Sequence, residues 1–453
     1  MRVHILGICG TFMGGLALLA KDRGLEVTGS DTNIYPPMSD QLQAAGIQLV
    51  DGYSDSQLDP LPGLVIIGNS LSRGNACVER ILNDRIPFLS GPQWLAEFIL
   101  PNRHVMAVSG THGKTTTTSM LAWILEYAGM NPGFLIGGVA ENFGLSARYG
   151  SGDCFVVEAD EYDTAFFDKR SKFIHYRPQT LIINNIEFDH ADIFSDLGAI
   201  KREFHHLIRT VPAGGRLIIR AGDDEIADVL TMGCWTKTES FSITEGDWQA
   251  HPERQDFSCF QLYHKAEFTG LVDWTLVGRH NAENALAAVA AASQVGVASE
   301  QACKALCEFK SVKRRLECLG VISGISIYDD FAHHPTAIRV TLEALRQKVG
   351  GARIIAVMEP RSNTMRTGVH GEALPHSLAG ADLVLVYQAR NPAMDYGVFS
   401  RILREKVQLF TDVSAIVEFL GKAARSGDHI LIMSNGGFEN IHRRLLEQLQ
   451  KVA

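Results

Sequence analysis

The sequence predicts an α/β protein of three domains in series. Three observations carry that expectation: the length, a steady alternation of short β-branched runs with helical stretches, and two breaks in that alternation. At about 150 residues per domain, a chain of 453 residues suggests roughly three domains. Hydrophobic residues make up 46% and charged residues 21%, enough to bury several cores and too apolar for a disordered chain. RVHILG, LEVTGSD and LVIIGNS read as strands, with MGGLALLAKDRG as an intervening helix. Such βαβ units build parallel sheets whose ligands sit at the carboxyl ends of strands. Breaks near Leu100-Pro101-Asn102 and Lys313-Arg314-Arg315 divide the chain into residues 1–102, 103–315 and 316–453.

Charge and cysteine content narrow the function. Lys and Arg total 42 against 51 Asp and Glu, a net charge of −9, so no general basic field draws the chain to nucleic acid or an anionic membrane. The 8 cysteines form no CxxC pair and no zinc spacing, which predicts reduced thiols. Cys303 and Cys307 read as small apolar residues on one buried helix face. The amino terminus reads as a strand and a glycine turn rather than a signal peptide. No apolar run reaches membrane-spanning length, and the cytoplasm is the expected address.

In the first segment Gly7, Gly10, Gly14 and Gly15 follow a strand and open a helix, with Thr11 beside them and Asp31 at the next strand end. A strand, turn and helix amino terminus of this kind suits a diphosphate. The spacing departs from GxGxxG, so the residues alone fit NAD, another nucleotide or a turn made for packing. The Asn69-Ser70 loop ends a neighbouring strand.

The second segment carries the strongest signal. The strand HVMAVS runs into Gly110-Thr111-His112-Gly113-Lys114-Thr115 and then a helix whose Leu121, Ile124, Leu125 and Ala128 supply a buried face. Backbone N–H groups of such a loop cradle a polyphosphate, with Lys114 on the β/γ-phosphates and the Thr115 hydroxyl on Mg²⁺. Val108 stands where the usual pattern has its first glycine. Glu158 and His190 each follow a predicted strand in the same sheet and would face this loop. A carboxylate there holds Mg²⁺, and an imidazole joins a second metal. Taken singly, the acidic run Glu158-Asp160-Glu161-Asp163 reads equally as a solvated loop. Asn281 and Asn284 open an alanine-rich helix, either as caps or as readers of an adenine edge. Between residues 232 and 277, FSITEGDW, FSCFQLYH and EFTGLVDWTLVG predict a small antiparallel insertion. Arg314 and Arg315 lie at the second break, where an arginine either swings onto a γ-phosphate or forms an interdomain salt bridge.

The third segment opens ISIYDDFAHHPTAI, with Pro335 suited to a first helical turn. His333, His334, Arg361, Arg366, Ser434 and Asn435 lie at predicted strand ends. Guanidinium groups and backbone N–H groups there would meet the carboxylates of a peptide, although solvated arginines and helix-capping histidines fit as well.

The phosphate loop, Glu158 in EADE, His190 in NNIEFDH, GRHNAENA, RRLE and DDFAHHP occur in the order and spacing of the Mur ligases, which the whole chain resembles. The resemblance implies a Rossmann-like UDP-binding domain, a central P-loop ATPase domain and a Rossmann-like carboxyl-terminal domain. It implies ATP and Mg²⁺ as cofactors and ATP-driven amide formation on UDP-N-acetylmuramate, in peptidoglycan biosynthesis and recycling and hence in cell shape and division. GICGTFMGG, GSDTNIYPPMS, EADEYDTAFFDKRSKFIHY and NNIEFDHADIF favour the tripeptide L-alanyl-γ-D-glutamyl-meso-diaminopimelate as acceptor over L-alanine. By the same resemblance Lys114, Arg315 and His190 are catalytic. Gly110, Thr111, His112, Gly113, Lys114, Thr115, Thr116, Asn281, Asn284, Arg315 and Asp330 bind ATP. Thr115, Glu158 and His190 hold metal, Gly10, Thr11, Asp31 and Ser70 bind the UDP-sugar, and His333, His334, Arg361, Arg366, Ser434 and Asn435 bind peptide. Several members of the family use a carbamylated lysine near the second metal, and Lys201 is the nearest lysine after His190.

Overall fold

The computed structural model describes residues 1–36, 38–389 and 394–452. Among the described residues the strands form a five-stranded, a ten-stranded and a six-stranded sheet with a two-stranded ribbon, Asp163–Ala165 against Asp168–Ser171. The first sheet is parallel, and Arg2–Leu6 lies between Glu26–Asp31 and Leu64–Ile67. The chain therefore leaves this strand at the point where the strand order reverses, and such a crevice is a ligand position. Gly7 takes φ +79° in the turn that follows, a region open to glycine at little cost.

In the second sheet the strand His104–Ser109 lies between the parallel strands Thr180–Ile183 and Cys154–Glu158. Their shared direction brings Gly110, Asn184 and Glu158 to one edge. The helix Lys114–Tyr127 that follows is buried on more than one face: Leu121, Ile124 and Leu125 are fully enclosed, as are Thr117 and Ser119, while Ala128 caps its end half-exposed. The alanine-rich helix Arg279–Ser293 shares one core with it, and small side chains let the two approach closely.

The expected antiparallel strands are present late in the central domain, with bounds that differ from the reading. Trp248–Pro252, Cys259–His264 and Glu267–Asp273 are antiparallel and extend the central sheet edge to edge. FSITEGDW is not one strand: it spans the end of Lys237–Phe241, a turn, and the first residue of Trp248–Pro252. Asp247 Oδ2 accepts from the backbone N–H and hydroxyl of Ser240 at 2.9 and 3.0 Å and so closes that turn.

The third sheet pairs Glu317–Ile322 antiparallel with Ile325–Asp330, followed by four parallel neighbours ending with Val407–Phe410. Separate apolar clusters cover its two faces. Cys303 is buried, whereas Cys307 at the end of its helix is exposed and accepts the Asp273 N–H at 3.4 Å, so the two do not share a buried face. No helix among the described residues is long and apolar enough to cross a membrane.

Candidate active site

The phosphate loop is shaped by glycine and held by asparagine. Gly110 has φ +128° and Gly113 φ +80°; a Cβ on Gly113 would stand 2.5 Å from Asn284 Oδ1 and 2.9 Å from Asn184 Nδ2. Asn185 Oδ1 accepts the His112 N–H at 2.8 Å. Thr111 Oγ1 donates to the Glu187 carbonyl at 3.2 Å and accepts the Glu187 N–H at 2.8 Å. Of the NNIEFDH segment only His190 was singled out from the sequence, yet its asparagines and Glu187 brace the loop.

Lys114 is buried against carboxylates. Its Nζ donates to the Gly110 carbonyl at 2.7 Å and to Glu161 Oε2 at 2.9 Å, with Asp160 Oδ1 at 3.8 Å. Burial opposes the lysine charge, but Glu161, Asp160 and Glu158 together outweigh it and hold its pKa above the ordinary value. Burial likewise opposes the Glu161 charge, and Lys114 and His190 overcome it, bringing Glu161 down to about 2. The acidic run is therefore no solvated loop: Glu161 is 2% exposed. His190 Nε2 lies 3.4 Å from Glu161 Oε1, which raises the imidazole pKa against the desolvation that lowers it. His190 itself has φ +53°, a strained backbone for a residue other than glycine and a mark of functional positions.

Glu158 faces Thr115, whose hydroxyl donates to Glu158 Oε1 at 3.0 Å, while the Gly137 N–H donates to Oε2 at 2.7 Å. Burial, with Asp160 nearby, raises the Glu158 pKa. Arg315 reaches the same hydroxyl, with Nη2 3.1 Å from Thr115 Oγ1. The salt bridge falls to its neighbour: Arg314 pairs with Asp329 of the third sheet at 3.2 Å and donates to the carbonyls of Ser434 and Gly436. Arg314 and Leu316 both have positive φ, a tight double bend that turns Arg315 away from its neighbours toward the loop.

A cavity beside the loop is lined by His112, Gly113, Thr116, Asn281, Asn284, Arg315 and Asp330, all expected at ATP, together with Arg220, His280 and Glu283, which were not. Asn281 Nδ2 ties the helix start to the preceding segment, donating to the Val277 carbonyl at 2.8 Å, and an amide keeps its carbonyl oxygen as a further acceptor for a ligand. The Asp330 carboxylate accepts from the N–H groups of Leu316 and Ala332, both at 2.7 Å, and burial raises its pKa to about 6 against the pull of Arg315. Its first task is thus to shape the chain around Arg315.

Three further cavities adjoin, one of them that of Lys114, Glu158 and His190. The one at the amino-terminal glycine turn is lined by Gly10, Thr11, Ser70, Tyr162, Thr164 and Lys172, and Thr11, Phe12 and Tyr162 also line the cavity holding Lys114, Glu158 and His190. Asp31 lines neither; it accepts the N–H groups of Cys9 and Asn33 at 2.9 and 3.0 Å and fixes the turn. Lys172, unremarked in the sequence, is buried with its Nζ 4.6 Å over the Phe12 ring and 4.1 Å over that of Tyr162. The third cavity is lined by His190, His333, Arg361, Thr364 and Asn435 among others.

Several expected residues are engaged elsewhere. Ser434 is fully buried; its hydroxyl donates to Glu359 Oε2 at 2.5 Å and accepts the Gly436 N–H at 2.9 Å, so it shapes the turn. His334 caps the helix Pro335–Val349, accepting the Thr336 N–H at 3.3 Å, and packs against His112. Arg366 is exposed and does not line the Arg361 cavity. Lys201, the nearest lysine after His190, has its ammonium held by Glu225 and Asp228 of the next helix.

The three sheets and the loop between them define a class, and the chain is a member of the Mur ligase family. Residues 2–103 match its "Mur ligase family, catalytic domain", residues 108–292 its middle domain and residues 314–436 its glutamate ligase domain. Within that class the chain is 54% identical, over 100% of its length and 99% of the relative's, to the UDP-N-acetylmuramate–L-alanyl-γ-D-glutamyl-meso-2,6-diaminoheptandioate ligase of Escherichia coli K12. A UDP-N-acetylmuramate–L-alanine ligase of Caldanaerobacter subterraneus is 30% identical over 99% of the chain and 98% of its own. The crystal structure of a murein peptide ligase from Psychrobacter arcticus 273-4 superposes with a TM-score of 0.78 at 45% identity, covering 100% of this chain and 99% of that one. The chain is accordingly an amide-forming ligase.

Proposed function

We propose that this protein joins the lactyl carboxylate of UDP-N-acetylmuramate to the free α-amine of L-alanyl-γ-D-glutamyl-meso-diaminopimelate, at the expense of ATP, in peptidoglycan recycling. The observation that carries the reading is the shared wall of two cavities: Thr11, Phe12 and Tyr162 face both the amino-terminal glycine turn and the pocket of Lys114, Glu158 and His190. A UDP-sugar with its diphosphate at Gly10 would present its carboxylate where a γ-phosphate would lie. The acceptor is supported by the 54% identity to the tripeptide-adding relative, against 30% for the L-alanine-adding one.

The residues fit a nucleotide and a hard cation. The absence of a Cβ at Gly113 lets the Asn184 and Asn284 amides close on the loop backbone, and Thr115 with Glu158 offers oxygen donors 3.0 Å apart, the donor type that Mg²⁺ prefers. Bound there, Mg²⁺ would neutralise charge on the β- and γ-phosphates. Lys114 would exchange part of its contact with Glu161 for phosphate oxygens, and Arg315 would cover the charge of the transferring phosphoryl group. Attack by the carboxylate gives an acyl phosphate and ADP, and the amine then displaces phosphate. The walls from the first and third sheets would exclude water from that activated acyl group. Arg361 at the third cavity supplies a guanidinium for a peptide carboxylate.

Purified protein given UDP-N-acetylmuramate, ATP and Mg²⁺ should release ADP with the tripeptide and far less with free L-alanine. Equal or greater turnover with L-alanine overturns the acceptor assignment.

A further inference from the structure

Among the described residues one trio brings three metal-binding atoms together: His112, Glu187 and His334, all within 4.8 Å of one another. His112 and His334 also line the cavity of Thr115 and Glu158, and Glu187 lines the nucleotide cavity beside it, so the trio sits where the two cavities meet. We infer that His112, Glu187 and His334 form a binding site for a transition-metal dication of the Zn²⁺ type, which would tie the phosphate loop to the third sheet's first helix.

The geometry carries the inference. His112 Nε2 lies 3.5 Å from Glu187 Oε2, and His334 Nδ1 lies 3.6 Å from the same oxygen; Nδ1 also accepts the Thr336 N–H at 3.3 Å, a contact that a bound ion would displace. Ligands at 2.0–2.1 Å in a tetrahedral site stand about 3.3 Å from each other, so the two distances to Glu187 are near those of a loaded site and the two imidazole nitrogens, within 4.8 Å of each other, would close on the ion. His112 Nε2 is buried and has no hydrogen-bond partner, an arrangement that costs free energy unless something occupies it. The Glu187 carboxylate is held in place by the Thr336 hydroxyl, which donates to Oε2 at 2.6 Å, and metal ligands are oriented by such contacts.

The donor set selects the ion. Two imidazoles and one carboxylate suit Zn²⁺, Co²⁺ or Ni²⁺, whereas Mg²⁺ prefers oxygen donors alone. Three protein ligands leave a fourth position. His370 stands edge-on to His334 at 4.8 Å, and its buried Nε2 also lacks a hydrogen-bond partner, so a third imidazole is close to that position. His112 belongs to the phosphate loop, Glu187 to the segment after Thr180–Ile183, and His334 to the cap of Pro335–Val349. A bound ion would therefore cross-link the central and third sheets at the edge of the nucleotide cavity.

The test uses the full chain freed of metal, in millimolar Mg²⁺ to fill oxygen-donor sites, titrated with Zn²⁺ against a chromophoric chelator and separately with Co²⁺ in the visible range. The expected result is one equivalent of Zn²⁺ and a Co²⁺ absorption band. Both Glu187→Gln, which keeps an acceptor for Thr336, and His334→Asn, which keeps an N-cap, should weaken Zn²⁺ binding by about tenfold or more and remove the band. Thermal melting of the metal-free variants separates ligand loss from misfolding, and a folded variant that binds as the parent does overturns the site. So does a parent chain whose Zn²⁺ binding is lost in Glu158→Gln and kept in Glu187→Gln.

Discussion

Arg315 Nη2 donates to Thr115 Oγ1 over 3.1 Å, joining the segment that opens the third sheet to the first turn of the phosphate-loop helix. The hydroxyl it touches also donates to Glu158, so one side chain links a cation, an anion and a helix amino terminus. In the proposed reaction Arg315 moves from that hydroxyl onto the transferring phosphoryl group. Arg315→Ala should lower kcat by about 10³, measured as tripeptide-dependent ADP release. Arg315→Lys should recover only part of the loss, because an ammonium lacks the planar fork of donors.

Lys114 and Glu161 form a buried pair that separates catalysis from stability. Lys114→Met should reduce ADP release by about 10³ or more. It should also destabilise the fold by about 3 kcal/mol, because Glu161 is left buried without its main counter-charge. Adding Glu161→Gln to Lys114→Met should restore most of the thermal midpoint and none of the turnover. Recovery of turnover in the double variant would remove Lys114 from the chemistry.

Chelation tests the cation at Thr115 and Glu158. EDTA should abolish ADP release, and excess Mg²⁺ should restore it. Glu158→Gln keeps a side-chain acceptor for Thr115 but loses the charge, so it should raise the Mg²⁺ concentration for half-maximal rate by about tenfold or more. An unchanged Mg²⁺ dependence would mean that Glu158 only braces the helix.

The parts of this site legible in the sequence are those that local geometry decides. Gly110 to Thr115 could be read because a strand, a glycine loop and a helix lie consecutively in the chain, and Glu158 because it ends a neighbouring parallel strand. Residues whose task depends on distant partners were not legible. Glu161 resembles a solvated acid until Lys114 and His190 close over it, and Ser434 resembles a ligand until Glu359 takes its hydroxyl. Lys201 lies near His190 in sequence, but that distance says nothing of Glu225 and Asp228, which hold it. The edge-to-edge joining of the antiparallel strands to the central sheet rests on pairing that no local period encodes.

Arg361 is the arginine at the third cavity, packed over Gly436, where a Cβ would stand 2.5 Å from its Nη1. Arg361→Ala should raise the KM for the tripeptide by about tenfold, the worth of one charge-assisted contact, and leave the KM for ATP unchanged. Steady-state kinetics varying one substrate at a time checks this. Arg366→Ala, on an exposed residue outside that cavity, should leave the tripeptide KM near its original value.

A final prediction concerns stability, far from the chemistry. His4 is 1% exposed in the first sheet, with Nδ1 2.8 Å from Thr28 Oγ1 and Nε2 3.0 Å from Ser30 Oγ. Burial, assisted by Arg2, lowers its pKa from 6.5 to about 4. A base whose pKa is depressed by folding binds fewer protons in the folded chain than in the unfolded one. The stability it contributes is therefore complete above the unfolded value, near pH 6.5, and is lost as the pH falls toward 4. At pH 5 the loss from this one ring is about 2 kcal/mol. Thermal melts of the parent should show the midpoint falling between pH 7 and pH 5. His4→Gln, which has no proton to gain and can still bond both hydroxyls, should show a smaller fall over the same interval whatever its midpoint at pH 7. A parallel fall in the two proteins would assign the acid sensitivity to other histidines whose pKa values are also lowered to about 4, among them His280, His333 and His334.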